Sequence, residues 1–286
     1  MSELLKIFQG GTDGFGHQLE GTLRLISMSI NNKADYQYKY KKNFSFEHNN
    51  FDISLLSNYI NEALLFLDNK TENNNTENNN QSYPIIYHEQ RTFNDVLNQD
   101  YYSKNNIYFY DGVGCGRWLP PYFEHKHELE TSLPILREAF NTKNKYLPKP
   151  TYNNDYKNIC CHIRLGDAVG QRPLDNENIY KVIHYFQQYK DIYRITIHSD
   201  GDISHLKNEN TILMDKSTDV LQILSDFVNA DTLIINYSSL SISGHLLADD
   251  KQMVICPEKA GVTFFHRILD KCIKSTDFIL DPSRYI

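Results

Sequence analysis

The chain has 286 residues and a formal net charge of −7, so it is long enough for one large domain or two smaller ones and has no basic excess for binding a nucleic-acid backbone. Apolar residues make up 40% and charged residues 23%, the balance of an ordinary soluble globular protein. No apolar stretch is long enough to span a bilayer, and the first residues lack a signal-peptide pattern. We therefore expect a cytoplasmic protein, or a soluble piece of a longer one, with neither a nucleic-acid partner nor a membrane span.

The first elements along the chain are predicted to be a strand, a glycine turn and a helix. Residues 4–8 form a short apolar run, residues 10–16 hold four glycines, and the apolar spacing over residues 19–30 is helical. The Asn-rich residues 69–82 cannot bury apolar surface, so we expect a disordered surface loop there.

The second part of the chain alternates regularly between strands and helices. It follows a predicted strand at 107–110, a helix at 133–140 and a linker-like stretch at 142–155 that contains Pro, Lys and Asn. Strands are then predicted at 158–163, 194–198, 232–236 and 252–256, and helices at 176–189, 218–229 and 238–248. This alternation is typical of an α/β protein with a parallel sheet, which binds ligands at the carboxyl ends of its strands.

Cysteine usage points to a reducing environment. The chain has five cysteines, an odd number in a chain too long to need disulfides for stability: Cys115, Cys160, Cys161, Cys256 and Cys272. Several lie in apolar, strand-like runs, where a buried thiol behaves as a small hydrophobic group. We therefore expect these cysteines to be reduced.

One polar segment, His162-Ile-Arg-Leu-Gly-Asp167, stands at the carboxyl end of the first strand after the linker. An Arg at such a strand end offers a planar fork of donors that fits diphosphate oxygens. Arg164 and Asp167 could instead form a structural ion pair, with His162 as a histidine near the core. The position alone leaves both interpretations open.

This segment resembles the H-x-R-R-x-D signature of fucosyltransferases, the superfamily that includes the α-1,2- and α-1,6-fucosyltransferases and the protein O-fucosyltransferases. His162, Arg164 and Asp167 match the signature, with Arg164 on its first Arg. Leu165 replaces the second Arg, so the role of that position in the family does not transfer to this chain.

Two further segments match the family in the same order along the chain. Gly14-Phe-Gly-His-Gln18 is similar to the G-x-G-N-Q turn that opens the amino-terminal half of these enzymes, with His17 in place of Asn. Residues 226–241 resemble a late motif in which an Ala-Asp pair, a strand and a Ser-Ser-x-Ser turn lead into a helix. The resemblance thus touches both halves of the chain.

The resemblance implies the GT-B architecture, an α/β fold in which two Rossmann-like domains face each other across a cleft. On this basis residues 1–148 form an acceptor-side domain and residues 149–286 form a domain that binds the nucleotide sugar. The implied reaction is the inverting, metal-independent transfer of fucose from GDP-fucose to a hydroxyl of a glycan or glycoprotein, with no cofactor.

Three serines open the helix that follows strand 232–236: Ser238, Ser239 and Ser241. The free N–H groups and the positive dipole end of a helix favour an anion, although Ser at a helix start is also a good N-cap in its own right. Because strands 158–163 and 232–236 can end at one crevice, we expect Arg164 and this turn to hold the donor diphosphate from two sides.

The segment Asp200-Gly-Asp202 is an acidic pair of the kind that can bind a divalent ion, but Asp and Gly are also ordinary turn formers. We favour the turn and expect no metal. In the resembling families a Ser-Asp pair after this strand lies near the nucleotide, which assigns Ser199 and Asp200 to the donor site.

The amino-terminal glycine turn is predicted to supply acceptor-side chemistry. Gly14 and Gly16 permit close approach of the backbone to the donor. A general base must take the proton of the attacking hydroxyl. Asp13, at a position where some O-fucosyltransferases carry an acidic residue, is the first candidate and His17 the second, although an Asp before Gly is equally a turn former.

Other functions remain open. A strand, a glycine turn and a helix also describe a unit that binds NAD(P), but residues 11–16 do not fit G-x-G-x-x-G, and an oxidoreductase leaves Arg164 unexplained. A transferase for another nucleotide sugar is an alternative, as is a non-catalytic relative that binds a glycan or nucleotide, because fold does not determine activity.

Overall fold

The structure is a computed structural model that describes residues 6–9, 15–32, 35–38, 58–67, 107–110, 123–152, 155–166, 175–236, 238–257 and 272–286. It is an α/β protein with two parallel sheets, one in each half of the chain, as predicted. No helix in these ranges is long and apolar enough to cross a membrane.

The first sheet has three parallel strands in the order β2-β1-β3. Its strands are β1 (Lys6–Gln9), β2 (Asp35–Tyr38) and β3 (Ile107–Tyr110). The helices of this half are α1 (Phe15–Asn32), α2 (58–67) and α3 (Phe123–Arg137), which continues into a π-helical turn at Glu138–Thr142. The predicted strand-turn-helix unit at the start of the chain is thus present, whereas the Asn-rich residues 69–82 lie outside the described residues.

The second sheet has six parallel strands, and the four that the sequence predicts are all present. The strands are β4 (Lys157–Ile163), β5 (Tyr193–Ser199), β6 (Thr211–Met214), β7 (Thr232–Ile234), β8 (Met253–Cys256) and β9 (Ile273–Lys274). The helices are α4 (Asn176–Gln187), α5 (Val220–Asn229), α6 (Ser239–Leu247) and α7 (Ser275–Leu280).

The strand order of the second sheet determines where a ligand can bind. Along the sheet the order is β6-β5-β4-β7-β8-β9, which is the 3-2-1-4-5-6 order of doubly wound α/β folds. In such folds the first three strands are placed one after another toward one edge of the sheet, and the next three toward the other edge. The change of direction falls between the first and fourth strands, here β4 and β7. The carboxyl ends of those two strands form the crevice in which ligands bind.

Hydrophobic side chains cover both faces of the second sheet. Alternate residues of β4 point to opposite faces, so Cys160 belongs to one cluster while Ile159 and Cys161 belong to another. The first cluster also contains Tyr59 from α2 and Phe227 from α5, so it joins helices from both halves of the chain. The division between residues 148 and 149 stays a prediction.

The stretch predicted as a linker is attached to the second half of the chain by hydrogen bonds. The Ser225 hydroxyl donates to the carbonyl of Pro148 at 2.6 Å, and the Gln222 amide donates to the carbonyl of Lys149 at 3.0 Å. Both side chains lie on α5, so residues 148–149 follow the surface of that helix. Asn144 of the same stretch is buried, and its amide donates to the Tyr59 carbonyl at 2.7 Å.

The expectation of reduced cysteines is wrong for one pair and correct for another. Cys256 and Cys272 form a disulfide, with their Cα atoms 6.2 Å apart, because β8 and β9 are neighbouring strands that place the two residues within disulfide range. Cys160 and Cys161 are free thiols buried in β4. Burial raises the pKa of both thiols well above the usual value, so they remain protonated and pack as small apolar groups.

The amino-terminal end of α1 packs directly on the amino-terminal end of α6, and a glycine makes this contact possible. A Cβ atom on Gly16 would lie 2.3 Å from the backbone nitrogen of Leu240 and 2.7 Å from its Cα atom. Because backbone atoms of a helix cannot turn away as a side chain can, α1 and α6 can be this close only if residue 16 has no side chain.

Replacing Gly16 by Ala is therefore expected to destabilise the protein by about 1–3 kcal/mol, the usual range for overpacking a filled contact. In an unobstructed helix the same change stabilises by up to about 1 kcal/mol, because Ala is the better helix former. Urea unfolding of the two proteins measures the difference, and its sign decides the question. A Gly16→Ala protein as stable as the wild type, or more so, would mean that α1 and α6 are not in this contact.

Candidate functional site

Two of the predicted donor-binding segments lie at the reversal point of the second sheet. β4 and β7 are neighbours, with Cys161 opposite Ile234. Arg164 directly follows β4, and Ser238 follows β7 as the N-cap residue of α6. The two strands therefore end side by side, and their shared crevice stays a prediction.

The loop that carries Arg164 is held by the turn after β5. The Asp200 carboxylate accepts the backbone N–H of Leu165 at 2.6 Å and that of Gly166 at 2.9 Å. Leu165 packs against the second hydrophobic cluster and lies directly over Gly201, where a Cβ atom would be 2.5 Å from the Leu165 Cβ. Arg164 itself is half-buried. The Leu in place of the second Arg of the family signature thus has a packing role.

The turn formed by Ser199, Asp200 and Asp202 uses its polar groups on the backbone. The Ser199 hydroxyl accepts the N–H of Gly201 at 3.1 Å, and Asp202 accepts the N–H of Ser204 at 2.9 Å. The backbone N–H and the hydroxyl of Ser204 lower the pKa of Asp202. These bonds are those of the turn that we favoured over a metal site. Among the described residues no group of three or more His, Cys, Asp or Glu could hold a metal ion.

The serines at the start of α6 differ in what their hydroxyls contact. Ser238 is buried and makes no side-chain capping bond, whereas the Ser241 hydroxyl donates to the Ser238 carbonyl at 2.9 Å. The Ser238 carbonyl also accepts the first helical hydrogen bond, from the N–H of Ile242 at 3.1 Å. The N–H groups of the first turn precede this bond and therefore have no acceptor within the helix.

The start of α1 reaches the same place from the other half of the chain. Gly16 contacts Leu240 in the first turn of α6, and the Ser243 hydroxyl lies 3.4 Å from the Gly16 carbonyl. His17 follows Gly16 in the first turn of α1. Asp13, Gly14 and Asp167 lie outside the described residues. The structure therefore brings the beginning of α1 to the start of α6, and α6 begins beside the Arg164 strand.

His162 lies on β4 with its ring against the core. Its ring centroid is 5.4 Å from that of Phe227 on α5, and the side chain is half-buried. His198, opposite His162 in the sheet, contacts the same Phe227 ring at 5.6 Å. The structure places His162 near the core, as one of the two interpretations expected, and its part in donor binding stays a prediction.

A buried carboxylate that the sequence analysis did not single out organises the interior below the site. Asp226 on α5 has no solvent exposure and accepts four hydrogen bonds. These bonds come from the Thr151 N–H at 2.7 Å, the Thr151 hydroxyl at 2.9 Å, the Gln222 amide at 3.1 Å and His198 Nε2 at 2.9 Å. Since an ionised carboxylate only accepts, His198 Nε2 is the donor in this hydrogen bond.

Asp226 thereby joins the stretch before β4 to the end of β5, where His198 immediately precedes Ser199 and Asp200. The Tyr152 hydroxyl adds a hydrogen bond to the backbone carbonyl of Asp226. In the sequence, the feature that points to a buried Asp226 is its place beside Phe227 and Val228 in a strongly amphipathic helix.

Comparison with known proteins adds similarity of fold only. No protein-family model matches the sequence, and no curated protein matches it. Among solved structures, the chain is similar to the fucosyltransferase NodZ from Bradyrhizobium, with 11% identity over 86% of this chain and 94% of that one and a TM-score of 0.44. It is similar to the E. coli heptosyltransferase WaaC with ADP-2-deoxy-2-fluoro heptose, with 11% identity, 98% of each chain covered and a TM-score of 0.46.

The S. aureus MnaA–UDP co-structure is a third similar structure, with 11% identity over 98% of this chain and 89% of that one and a TM-score of 0.40. Identities near one residue in ten and TM-scores below 0.5 carry no argument about the reaction or the substrate. Any functional assignment must therefore come from the site itself.

Proposed function

We propose that the chain is an inverting glycosyltransferase that uses a nucleotide-sugar donor and needs no metal ion. The observation that carries the proposal is the meeting of Arg164 and the amino-terminal end of α6 at the strand reversal of the second sheet. A guanidinium fork after one strand and the amino-terminal end of a helix after the neighbouring strand suit a diphosphate, which presents oxygens to both sides.

The proposed reaction is a single displacement at the anomeric carbon. The acceptor hydroxyl attacks this carbon, the bond from the carbon to the diphosphate oxygen breaks, and its electron pair leaves with the nucleoside diphosphate. The proton of the hydroxyl passes to a general base, for which Asp13 is the first candidate and His17 the second. Attack from the face opposite the leaving group inverts the configuration.

Charge on the leaving diphosphate grows as the bond breaks, so groups that are already in place stabilise the transition state more than the bound donor. Arg164 and the first turn of α6 have this role in the proposal, and a divalent ion then has no necessary task. The family resemblance further assigns to donor binding His162, Asp167, Ser199, Asp200, Ser238, Ser239, Ser241, Gly14 and Gly16.

GDP-fucose is the donor to test first. The fucosyltransferase resemblance of residues 162–167, 14–18 and 226–241 supports it. Glycans and glycoproteins with a free hydroxyl are the acceptors proposed on the same basis. Another nucleotide sugar remains the alternative donor, since Arg164 and the helix N–H groups contact only the diphosphate that such donors share.

A thermal-shift panel is the test of the proposal. GDP-fucose and GDP are expected to raise the melting temperature at concentrations near 100 times Kd, where binding stabilises the native state by about 2.7 kcal/mol. ADP, UDP and their sugar conjugates are expected to give smaller shifts. NAD and NADP serve as controls for the oxidoreductase alternative, and the shift with GDP-fucose should persist in EDTA.

Turnover separates an enzyme from a non-catalytic binding relative. Release of GDP from GDP-fucose, with and without a mixture of glycan acceptors, is expected to proceed in EDTA. Loss of turnover on chelation, with recovery on adding manganese, would contradict metal independence. A shift with NAD or NADP and none with any nucleotide sugar would contradict the glycosyltransferase proposal as a whole.

A further inference from the structure

We propose that Asp200 is a positioning residue that holds the Arg164 loop through a single carboxylate oxygen, and does not itself contact the donor or a metal. The inference adds to the proposed role of Arg164 in donor binding. It rests on the proposed function only for the experiments that measure turnover. It replaces the expectation that Asp200 belongs to the donor-binding surface.

The hydrogen bonds of Asp200 carry the argument. Oδ1 accepts both the Leu165 N–H at 2.6 Å and the Gly166 N–H at 2.9 Å, although these residues are 35 and 34 positions away in the sequence. Oδ2 accepts no hydrogen bond from any of the described residues. The whole attachment of the loop to this side chain therefore depends on one acceptor atom.

The packing around these bonds is close on both sides. A Cβ atom on Gly166 would lie 3.0 Å from Oδ2 and 3.1 Å from Cγ of Asp200, so a residue with a side chain would press on the carboxylate. Gly201 lies under Leu165 in the same way, with 2.5 Å between its would-be Cβ atom and the Leu165 Cβ. Glycines on both sides let the two turns interlock.

The sheet explains why the two turns meet. β4 and β5 are neighbouring parallel strands, with Ile163 opposite Ser199, so the residues just after each strand are side by side. Two successive N–H groups that converge on one point form a concavity for an anionic oxygen. Asp200 occupies that concavity from inside the protein, and neither N–H is left for a phosphate.

The hydrogen bonds of Asp200 matter for function through Arg164, the residue just before Leu165 and Gly166. Arg164 can stabilise a leaving diphosphate only if its backbone is held in place, since displacement of a catalytic group by about 1 Å can lower turnover by about 10²-fold. Asp200 supplies that support from the next strand. Its charge is not required, because an amide oxygen can accept the same two bonds.

The test compares Asp200→Asn with Asp200→Ala. Asn keeps an oxygen at the Oδ1 position, and its NH₂ group takes the place of an oxygen that accepts no bond from the described residues. We expect kcat of Asp200→Asn to stay within about threefold of the wild type, because the amide oxygen accepts the same two hydrogen bonds only slightly more weakly. We expect kcat of Asp200→Ala to fall about 10- to 100-fold, with a smaller change in KM for the donor.

Amide hydrogen exchange at Leu165 and Gly166 gives a readout that does not depend on activity. Exchange is expected to accelerate at least about tenfold in Asp200→Ala and to remain near the wild-type rate in Asp200→Asn. Asp202→Ala is the matched control: it removes an exposed carboxylate from the same turn and should leave exchange at both amides unchanged.

Two results would overturn the inference. If Asp200→Asn resembled Asp200→Ala in exchange or in kcat, the negative charge would be what matters, as for a metal or ligand contact. If Asp200→Ala left exchange at Leu165 and Gly166 unchanged, the loop would not depend on this side chain. Should the wild type turn over no nucleotide sugar, the proposed function fails, and the exchange comparison still decides the role of Asp200.

Discussion

Arg164→Ala and Arg164→Lys are both expected to fold and to lose turnover by about 10²-fold or more, the loss typical of removing one preorganised donor that stabilises transition-state charge. Lys keeps the positive charge but lacks the planar fork, and the two residues are not interchangeable at a bidentate site. Turnover is measured as GDP release at saturating GDP-fucose, and folding by thermal unfolding of each variant.

Arg194 offers a matched control for this experiment. It lies near the amino end of β5, so it is at the opposite end of the strands from Arg164. There its guanidinium donates to the Lys190 carbonyl at 2.6 Å and stacks on Tyr156. Arg194→Lys and Arg194→Ala should leave turnover close to that of the wild type. A folded Arg164→Lys protein with near-normal turnover would make Arg164 a structural residue and remove the main support for the mechanism.

Asp226→Ala is expected to lower the free energy of unfolding by about 3–5 kcal/mol, because each donor that loses its buried acceptor costs about 1–3 kcal/mol. The substitution leaves the Thr151 N–H and the buried His198 Nε2 without the acceptor they share, whereas the Gln222 amide keeps the Lys149 carbonyl. Guanidinium or urea unfolding, monitored by circular dichroism, measures the loss.

Asp219→Ala on the same helix is the matched control. Asp219 is exposed and caps α5 by accepting the Leu221 N–H at 2.7 Å, so its removal should lower the free energy of unfolding by about 1 kcal/mol. The two variants differ in burial and not in residue type or element. An Asp226→Ala protein that unfolds like Asp219→Ala would show that the buried hydrogen bonds contribute little to stability.

Local pattern was sufficient to predict most elements of the second sheet. The strand predicted at 158–163 is observed at Lys157–Ile163, and the helix predicted at 176–189 is observed at Asn176–Gln187. Both are long and apolar at regular spacing, and such spacing is a property of neighbouring residues alone. β6 and β9 were missed because they are short and only partly buried, so their strand conformation comes from pairing with β5 and β8.

The sequence also placed Arg164 and Ser238 after two strands, but it could not show that those strands are neighbours. That follows from the strand order, which is set by pairing between segments far apart in the sequence. The sequence could not predict the contact of Gly16 with Leu240 either, because a glycine in a turn indicates only backbone freedom.

The polar contacts show most clearly what the sequence determined by itself and what the tertiary structure decided. From the sequence, Asp200 lies in a predicted turn and Asp226 falls within the helix predicted at 218–229, and the structure has both. Their hydrogen-bond partners are 35 residues away for Leu165 and 28 for His198. A hydrogen bond needs only that two groups meet in space, so a distant partner leaves no periodic trace in the chain. Which carboxylate holds the Arg164 loop, and which joins β5 to the interior, was therefore decided only when the strands paired.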